Sequence, residues 1–223
     1  MIRISKRLEA ISSLIPINSN IIDIGCDHAL LDIYLIQKKI IKSSIASDIN
    51  ANALNNAKEN IKKYNLEKLI DTRLGNGLDT LNDKDKVDTI VISGMGAHTI
   101  IGILKNNLDK LRNINTLIIQ SNTKLELLRK EITKLNYLID DEMILEDNKK
   151  NYIVIKFIKG KKRYSKKELY FGPILITKKD KVFKEYYNKE LSKLKIYLKL
   201  LPKNNIIDRY KIKKEIRLYK NIV

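Results

Sequence analysis

The sequence is poor in cysteine and in long apolar runs. Its single cysteine, Cys26, excludes an intrachain disulfide and is typical of a protein in a reducing compartment. The N-terminal residues 1–7 are basic but lack the apolar core of a signal peptide. No stretch approaches the roughly 18 apolar residues of a membrane span. We therefore expect a soluble, cytoplasmic protein that does not bind a membrane.

Two further patterns are missing. No internal repeat is evident, and no group of His, Cys and Asp has the spacing of metal ligands, so we expect no metal site.

Hydrophobic residues make up 43% of the chain. At 223 residues this is enough for one sizeable core and an appendage.

Acidic residues are scarce only in the last third of the chain. Residues 156–223 contain 22 Lys and Arg against 6 Asp and Glu, whereas residues 1–155 contain 22 against 20. An AT-rich coding bias would raise the lysine content of both parts alike. The uneven distribution therefore favours a surface for a polyanion, most commonly nucleic acid, over a merely solvated charged face.

Strand-like and helix-like segments alternate along the first 136 residues. The predicted elements are helix 4–15, strand 21–25, helix 28–39, strand 43–48, helix 50–63, strand 69–74, strand 87–92, helix 96–111, strand 115–120 and helix 123–136. Apolar runs in the fourth and fifth strands are typical of strands that are covered on both faces. This order predicts an α/β fold with a doubly wound, mostly parallel sheet.

The alternation ends with two adjacent strands, 137–145 and 151–158. They predict an antiparallel hairpin at the edge of the sheet, a pattern common in class I Rossmann-like methyltransferases, whereas dehydrogenases usually continue with another helix. We therefore predict a Rossmann-like domain over residues 1–159 and a basic helical domain over residues 160–223.

The C-terminal domain contains two apolar seams at helical spacing. The joining segment, residues 202–205, begins with a proline and is short. The two seams therefore predict an antiparallel helical hairpin of coiled-coil character. Their residues are Phe183, Tyr187, Leu191, Leu194, Leu198 and Leu201, then Ile212, Ile216, Tyr219 and Val223.

The turn after the first strand is the first candidate for a cofactor site. Gly25 allows a tight turn beside a ligand, and Asp27 falls where a helix N-cap is expected. A dinucleotide turn needs several glycines and disfavours negative charge, whereas this turn has one glycine flanked by Asp23 and Asp27. These carboxylates suit S-adenosylmethionine, which carries a sulfonium and an ammonium group and no phosphate. His28 is a candidate contact, although a histidine at a helix start often only caps or packs.

Polar residues also follow the second and third strands. Asp48, followed by Ile49, lies where a carboxylate accepts ribose hydroxyls in both types of cofactor site. Asn76 and Gly77 follow the third strand, and the Asn76 amide is placed to reach an adenine edge. Taken in order, the ends of three strands predict an adenosyl cofactor.

The fourth strand is followed by Ser93, Gly94, Met95 and Gly96. Many amino-methyltransferases have an Asp/Asn-Pro-Pro-aromatic turn here, which this chain lacks. Its glycines would leave open backbone beside the transferring methyl group, with Met95 available to pack on a planar base. A simple tight turn before a helix is the alternative. Gln120 and Asn122, after the fifth strand, are expected to line the same pocket.

These motifs together resemble the TrmK family of bacterial tRNA (adenine-22-N1)-methyltransferases. The resemblance spans nearly the whole chain. It implies S-adenosylmethionine as the methyl donor and N1 of adenine 22 in tRNA as the acceptor. The family pattern has Asp, Gly and Pro where this chain has Asn76, Ala97 and Ser121. The motifs that carry the resemblance are residues 23–29, 75–78, 93–96, 120–122 and 171–173.

Adenine N1 is already a nucleophile, so alignment should supply most of the rate. We expect the base to leave its stack and enter between the Gly94–Met95 turn and the Gln120 and Asn122 amides, with Asp27 as the pocket carboxylate. The basic tail would bind tRNA through its phosphates, and we expect a monomer.

Three alternatives stay open. One is an NAD-type oxidoreductase, another is a nucleic-acid-binding protein with a non-catalytic cofactor site, and the third uses Cys26 as a nucleophile. The position of Cys26 in the cofactor turn, rather than in a later catalytic loop, argues against the third.

Overall fold

The computed structural model describes residues 2–222. Val223, placed above in the second C-terminal seam, lies outside the described residues. The chain divides into two compact units between Arg163 and Tyr164. No helix within residues 2–222 combines the length and apolar character needed to cross a membrane.

The first unit contains a seven-stranded sheet in the order β3-β2-β1-β4-β5-β7-β6. All neighbours are parallel except the pairs that β7 makes with β5 and β6. This confirms the doubly wound, mostly parallel sheet. The strands are β1 Ser19–Ile24, β2 Ile41–Asp48, β3 Ile70–Leu74, β4 Thr89–Met95, β5 Thr116–Ser121, β6 Tyr137–Asp147 and β7 Lys150–Lys159.

The predicted hairpin forms at the edge of this sheet, with two details that the sequence did not supply. Its second strand, β7, pairs with β5, so the outermost strand β6 again runs parallel to the rest. The turn is also tighter than predicted. Asn148 and Lys149 alone lie between the strands, both with positive φ, as two-residue hairpins require.

Within residues 2–163 the α-helices of the first unit are α1 Lys6–Leu14, α2 Leu30–Gln37, α3 Ala51–Lys63, α4 Ala97–Lys105 and α5 Leu125–Thr133. The single predicted helix 96–111 is wrong in its second half, because α4 ends at Lys105 and a separate 3₁₀ turn covers Lys110–Asn113. The Asn107 side chain donates to the Ile103 carbonyl, and this local bonding competes with continuation of the helix.

The strand order places a crevice between β1 and β4. From β1 the chain builds the sheet in one direction through β2 and β3, then crosses to β4 and continues in the other. Ligands in such sheets bind at this switch point, outside the carboxyl ends of the strands. The turn after Ile24 and the end of β4 therefore face the same crevice.

The described part of the second unit, residues 164–222, contains the helices α6 Lys166–Phe171, α7 Pro173–Lys178, α8 Lys181–Leu200 and α9 Ile206–Lys220. The two short helices were not predicted. Tyr187 near the start of α8 packs edge-on against Tyr219 near the end of α9, with ring centroids 5.8 Å apart. Arg209 at the start of α9 donates to the carbonyls of Leu198 and Leu201 at the end of α8. The helices are thus antiparallel, as predicted.

A buried ion pair joins α5 to the edge of the sheet. Arg129 Nε donates to Glu142 Oε1 over 2.7 Å, and neither side chain is exposed. Removing one partner would leave the other charge buried with less compensation, which typically costs about 3–5 kcal/mol.

We therefore expect Glu142→Ala to lower the free energy of unfolding by about 3–5 kcal/mol. Lys134→Ala, which removes an exposed partner of Glu131, should cost less than about 1 kcal/mol. Urea unfolding of the full chain followed by circular dichroism measures both. Equal effects of the two substitutions would contradict the assigned importance of the buried pair.

Candidate active site

The turn after β1 brings backbone to the floor of the crevice. Gly25 has φ +78°, and the amides of Gly25 and Cys26 both donate to the Ser47 carbonyl at the end of β2. A Cβ at Gly25 would lie 2.5 Å from Cε of Met95. The left-handed conformation favours glycine here, and a Cβ would displace the end of the Met95 side chain. The turn therefore presents bare backbone next to the end of β4.

Asp27 does not cap the following helix, so that prediction was wrong. Helix α2 begins at Leu30, and the preceding Ala29 has left-handed backbone and no capping side chain. Asp27 is itself left-handed, with φ 51°, and its amide donates to Asp48 Oδ2 over 3.3 Å. Its carboxylate is 76% exposed and lies 3.6 Å from Nε2 of His28. The carboxylate therefore lies at the rim of the crevice, available to a ligand.

A cavity opens between this turn and β4. It brings together five residues that the sequence predicted as site residues, namely Asp23, Gly25, Asp27, His28 and Ser93. The remaining lining residues are Arg7, Leu8, Cys26, Leu30 and Leu31. The lining therefore contains two carboxylates, Asp23 and Asp27, and one guanidinium group, that of Arg7.

Arg7 is the residue that sequence reasoning missed. Its Nη1 donates to Gln120 Oε1 over 3.3 Å, its amide donates to Asp147, and its guanidinium lies 5.7 Å from the ring centroid of Tyr152. A Cβ at Gly94 would lie 3.3 Å from Nη1. Arg7 thus reaches from α1 to the junction of the cavity and β4. Arg7 lies in an amphipathic helix, and nothing in the sequence around it indicates that its side chain reaches Gln120.

A buried carboxyl pair lies beneath the cavity. Asp23 and Asp32 are close enough to influence each other's protonation, and Asp32 also accepts a hydrogen bond from the Ser44 hydroxyl. Burial raises the pKa of both carboxyls, that of Asp32 to about 6, and the Asp32 charge raises the pKa of Asp23 further. Oδ1 of Asp23 is buried without a hydrogen-bond partner among residues 2–222. The pair therefore retains a proton. The Oδ1 atom of Asp23 can still accept a hydrogen bond, because no described residue donates one to it.

Cys26 is unsuited to nucleophilic catalysis. Burial and the carboxylates around it raise the pKa of its thiol well above the ordinary value, so it stays neutral. Because the thiolate is the reactive form, this agrees with the sequence argument against a cysteine nucleophile.

The predicted residues after β2 and β3 form a second group next to the cavity. The Asp48 carboxylate accepts from the amides of Asn50 and Asp27, and the Asp48 carbonyl accepts from the Gly75 amide. Ile49 is 72% exposed, and the exposed Asn76 side chain makes no capping bond. Gly77 has φ +57°, and a Cβ there would meet Ile103 at 2.9 Å. Asp48, Ile49 and Asn76 therefore line one exposed edge.

The segment after the fourth predicted strand is not a turn but a bulge inside β4. Ser93 pairs with Gln120 and Met95 pairs with Ser121, which leaves Gly94 as an extra residue with φ +79°. Bulges of this kind re-aim the backbone and are common next to active sites.

Two amide side chains hold the bulge. The Gly94 amide donates to Gln120 Oε1 over 3.0 Å, and Asn122 Nδ2 donates to the Gly94 carbonyl over 2.7 Å. Gln120 Nε2 closes the ring by donating to Asn122 Oδ1 over 2.9 Å. Gln120 is 1% exposed, whereas Asn122 is exposed and keeps a second amide hydrogen. The structure thus brings Gly94, Met95, Gln120 and Asn122 together, with Gln120 beneath the surface.

The arrangement suits a ligand that carries both positive and negative charge. It offers the unused oxygen of Asp23, the exposed carboxylate of Asp27 and the guanidinium of Arg7 around bare glycine backbone. Across residues 2–222, no group of three or more His, Cys, Asp or Glu side chains is placed to hold a metal ion. The chemistry available is binding, alignment and electrostatic stabilisation.

Comparison with known proteins also indicates a methyltransferase. The sequence model of the TrmK family, described as tRNA (adenine(22)-N(1))-methyltransferase, matches residues 21–221. The Bacillus subtilis tRNA (adenine(22)-N(1))-methyltransferase is 32% identical over 196 residues, which are 85% of this chain and 82% of that protein.

Two solved structures share the fold over nearly their whole length. Mycoplasma capricolum TrmK in complex with S-adenosyl-homocysteine has a TM-score of 0.87 and 33% identity, covering 98% of this chain and 96% of that one. The Bacillus subtilis m1A22 tRNA methyltransferase TrmK has a TM-score of 0.88 and 28% identity, covering 100% and 99%. The chain belongs to the TrmK family of tRNA (adenine(22)-N(1))-methyltransferases.

Proposed function

We propose that this protein transfers a methyl group from S-adenosylmethionine to N1 of adenine 22 in tRNA. The observation that carries the proposal is the meeting of the Gly25 turn and the Gly94 bulge at one crevice, in a chain of the TrmK family. The first element has the carboxylates and open backbone of a cofactor site. The second offers open backbone where an acceptor base would lie.

The cavity residues fit the amino-acid end of S-adenosylmethionine. The donor supplies an activated methyl group on a sulfonium, together with an α-ammonium and an α-carboxylate. The unused Oδ1 of Asp23 would accept from the ammonium, and Arg7 would bind the carboxylate with charge-assisted hydrogen bonds. Gly25, which lines the cavity, would lie beside the sulfur. His28 lies at the rim beside Asp27 and would close this end.

The second group of residues fits the adenosine end. The Asp48 carboxylate, held by two backbone amides, has further acceptor capacity for the ribose hydroxyls. Ile49, exposed at the end of β2, would cover one face of the adenine. Asn76 would hydrogen-bond to the adenine edge. Gly77 has no side chain and would leave room for the adenine beside Asn76. Ser93 would lie beside the sulfur.

The chain's own residues would align the acceptor rather than activate it. The N1 lone pair of adenine would attack the methyl carbon while the bond from that carbon to the sulfonium sulfur breaks. S-adenosylhomocysteine would leave as a neutral thioether, and the positive charge would move from the sulfur to the adenine ring. The exposed Asp27 carboxylate at the rim would stabilise that charge. Asn122, with its second amide hydrogen, would contact the base, and Met95 would pack against it. Gln120 acts one layer below as a positioning residue, because its oxygen already holds Gly94 and Arg7.

The basic C-terminal helices would supply affinity for tRNA. The charge excess of residues 156–223 suits contacts to phosphates, which bind without selecting a base. The net charge of +18 opposes self-association, which supports a monomer. We propose that residues 1–159 carry the chemistry and that residues 160–223 contribute to tRNA binding.

The proposed function is tested with the full chain, labelled S-adenosylmethionine and tRNA. We expect one methyl group per accepted tRNA, recovered as 1-methyladenosine at position 22, and none on tRNA in which A22 is replaced by G. Nucleoside mass spectrometry and mapping of the modified position measure this. Binding of tRNA without methyl transfer would instead favour the non-catalytic alternative.

A second prediction concerns Arg7. Arg7→Gln should weaken binding of S-adenosylmethionine by roughly 10- to 100-fold, because it removes a charge-assisted contact. The affinity for decarboxylated S-adenosylmethionine should stay nearly unchanged, since that ligand lacks the group Arg7 binds. Calorimetry with both ligands measures the difference, and Lys6→Gln, at an exposed neighbouring position, is the matched control. Equal losses for both ligands would contradict the assignment.

A third prediction concerns pH. The folded chain keeps a proton on the Asp23–Asp32 pair that the unfolded chain would release, because the pKa of Asp32 is about 6 against an ordinary value near 3.8. This contribution to stability is therefore present at low pH and lost as the pH rises through about 6. A cationic ligand prefers the ionised pair, so affinity for S-adenosylmethionine should rise over the same range.

Asp32→Asn should flatten this pH dependence. Calorimetry between pH 5 and 8, in buffers of different ionisation enthalpy, measures the affinity and the protons released on binding. We expect proton release near pH 6 in the native chain and little in the variant. An unchanged pH profile in Asp32→Asn would show that the pair is not the group that titrates.

A further inference from the structure

The end of the C-terminal helical hairpin exposes an apolar surface, which we call the hairpin tip. It combines the last turns of α8 with the first turns of α9. Each of its large apolar side chains is at least half exposed, although this part of the chain is strongly basic. Its members are Ile196, Tyr197, Leu200, Ile206, Ile207 and Tyr210.

The hairpin does not need these side chains for its own packing. The buried side of α8 and α9 is formed by other residues, including Phe183, Tyr187, Leu191, Ile212 and Tyr219. At the tip, Ile206 is 74% exposed, Ile207 69% and Leu200 77%. The six side chains belong to two short stretches, residues 196–200 and 206–210, on either side of the turn that joins α8 to α9. Exposed large apolar side chains that are grouped at one end of a structure mark interaction sites.

The tip is also held in a defined shape. Arg209 Nη1 donates to the carbonyls of Leu198 over 3.0 Å and Leu201 over 2.7 Å, so it closes the end of α8. Asn205 caps α9 by accepting from the Asp208 amide. The apolar side chains therefore stand on two helix ends fixed by hydrogen bonds, which limits the entropy lost on binding.

The charge around the tip indicates its partner. Residues 193–214 contain eight Lys and Arg and a single acidic residue, Asp208. A second copy of this chain would bring like charges together, whereas RNA offers phosphates for the lysines and flat base faces for the apolar side chains. Stacking of bases on aromatic and apolar side chains combines in this way with a basic surface in other RNA-binding proteins.

We propose that the hairpin tip docks on an exposed base face of tRNA, with Tyr210 and Ile207 as the central contacts and the surrounding lysines on the phosphates. This inference rests on the proposed function. It adds a contact that depends on base surface, not on charge. Because such a contact releases no counterions, it should leave the salt dependence of binding unchanged.

The experiment measures tRNA affinity of the full chain at several salt concentrations. Ile207→Gln/Tyr210→Gln should weaken binding about 10- to 100-fold and leave the slope of log K against log salt unchanged. Lys211→Gln should reduce that slope by about 0.9. Tyr210→Phe, which keeps the ring, should bind nearly as tightly as the native chain. Leu218→Gln, at a less exposed position further along α9, is the matched control.

The outcomes separate this inference from the proposed function. Affinity for S-adenosylmethionine and the thermal unfolding of each variant should match the native chain. If the native chain methylates A22 and the double variant binds tRNA equally well, the tip inference fails alone. If sedimentation shows that the tip mediates self-association and tRNA affinity is unaffected, the surface belongs to a second copy. If the native chain neither binds nor methylates tRNA, both proposals fail.

Discussion

The close approach of the Gly25 turn and the Gly94 bulge is the constraint on which the candidate site depends. Met95 Cε lies 2.5 Å from the position that a Cβ at Gly25 would take, and Arg7 Nη1 lies 3.3 Å from the position of a Cβ at Gly94. Both glycines have positive φ. The Gly25 turn meets the end of β4 through the Met95 side chain, which packs closely there because Gly25 has no side chain. Asp23, Asp27 and Arg7 line the cavity beside this contact.

The bulge explains why the site needs amide side chains below its surface. An extra residue in β4 breaks the regular ladder and leaves the polar groups of Gly94 without their usual partners. Gln120 and Asn122 replace those partners. Because Gln120 also accepts from Arg7, the bulge and the guanidinium group are fixed by one oxygen. A substitution at Gln120 would therefore disturb the acceptor side and the cofactor side together.

Ionising the buried Asp23–Asp32 pair costs free energy, and a bound cation would lower that cost. Two acidic side chains in a low-dielectric interior cannot both ionise, so the folded chain retains a proton there. A positive charge bound above Asp23 stabilises the ionised form and releases that proton. The site is thus electrostatically incomplete without a cation, which is a physical reason to expect S-adenosylmethionine rather than a pyrophosphate cofactor.

The fold and the positions of most site residues were predictable because their signals are local. A β-branched run broken by a glycine predicts β1 and its turn, and a polar residue after each strand predicts one shared edge. The role of Asp27 as a helix cap was mispredicted, since left-handed backbone at Asp27 and Ala29 delays the helix to Leu30. Arg7 was missed because only tertiary structure brings α1 to Gln120.

The same reasoning separates two kinds of RNA contact in the second unit. Lysine content is visible in composition, so a polyanion partner was predictable. The exposure of Ile206, Ile207 and Tyr210 was not, because apolar residues near the start of a helix carry no sequence signal that tells packing from exposure. The structure shows that the apolar residues before the predicted seam, which begins at Ile212, face outward. Charge then accounts for general affinity, whereas the apolar tip can favour a particular fold of RNA, because only some folds expose a base face there.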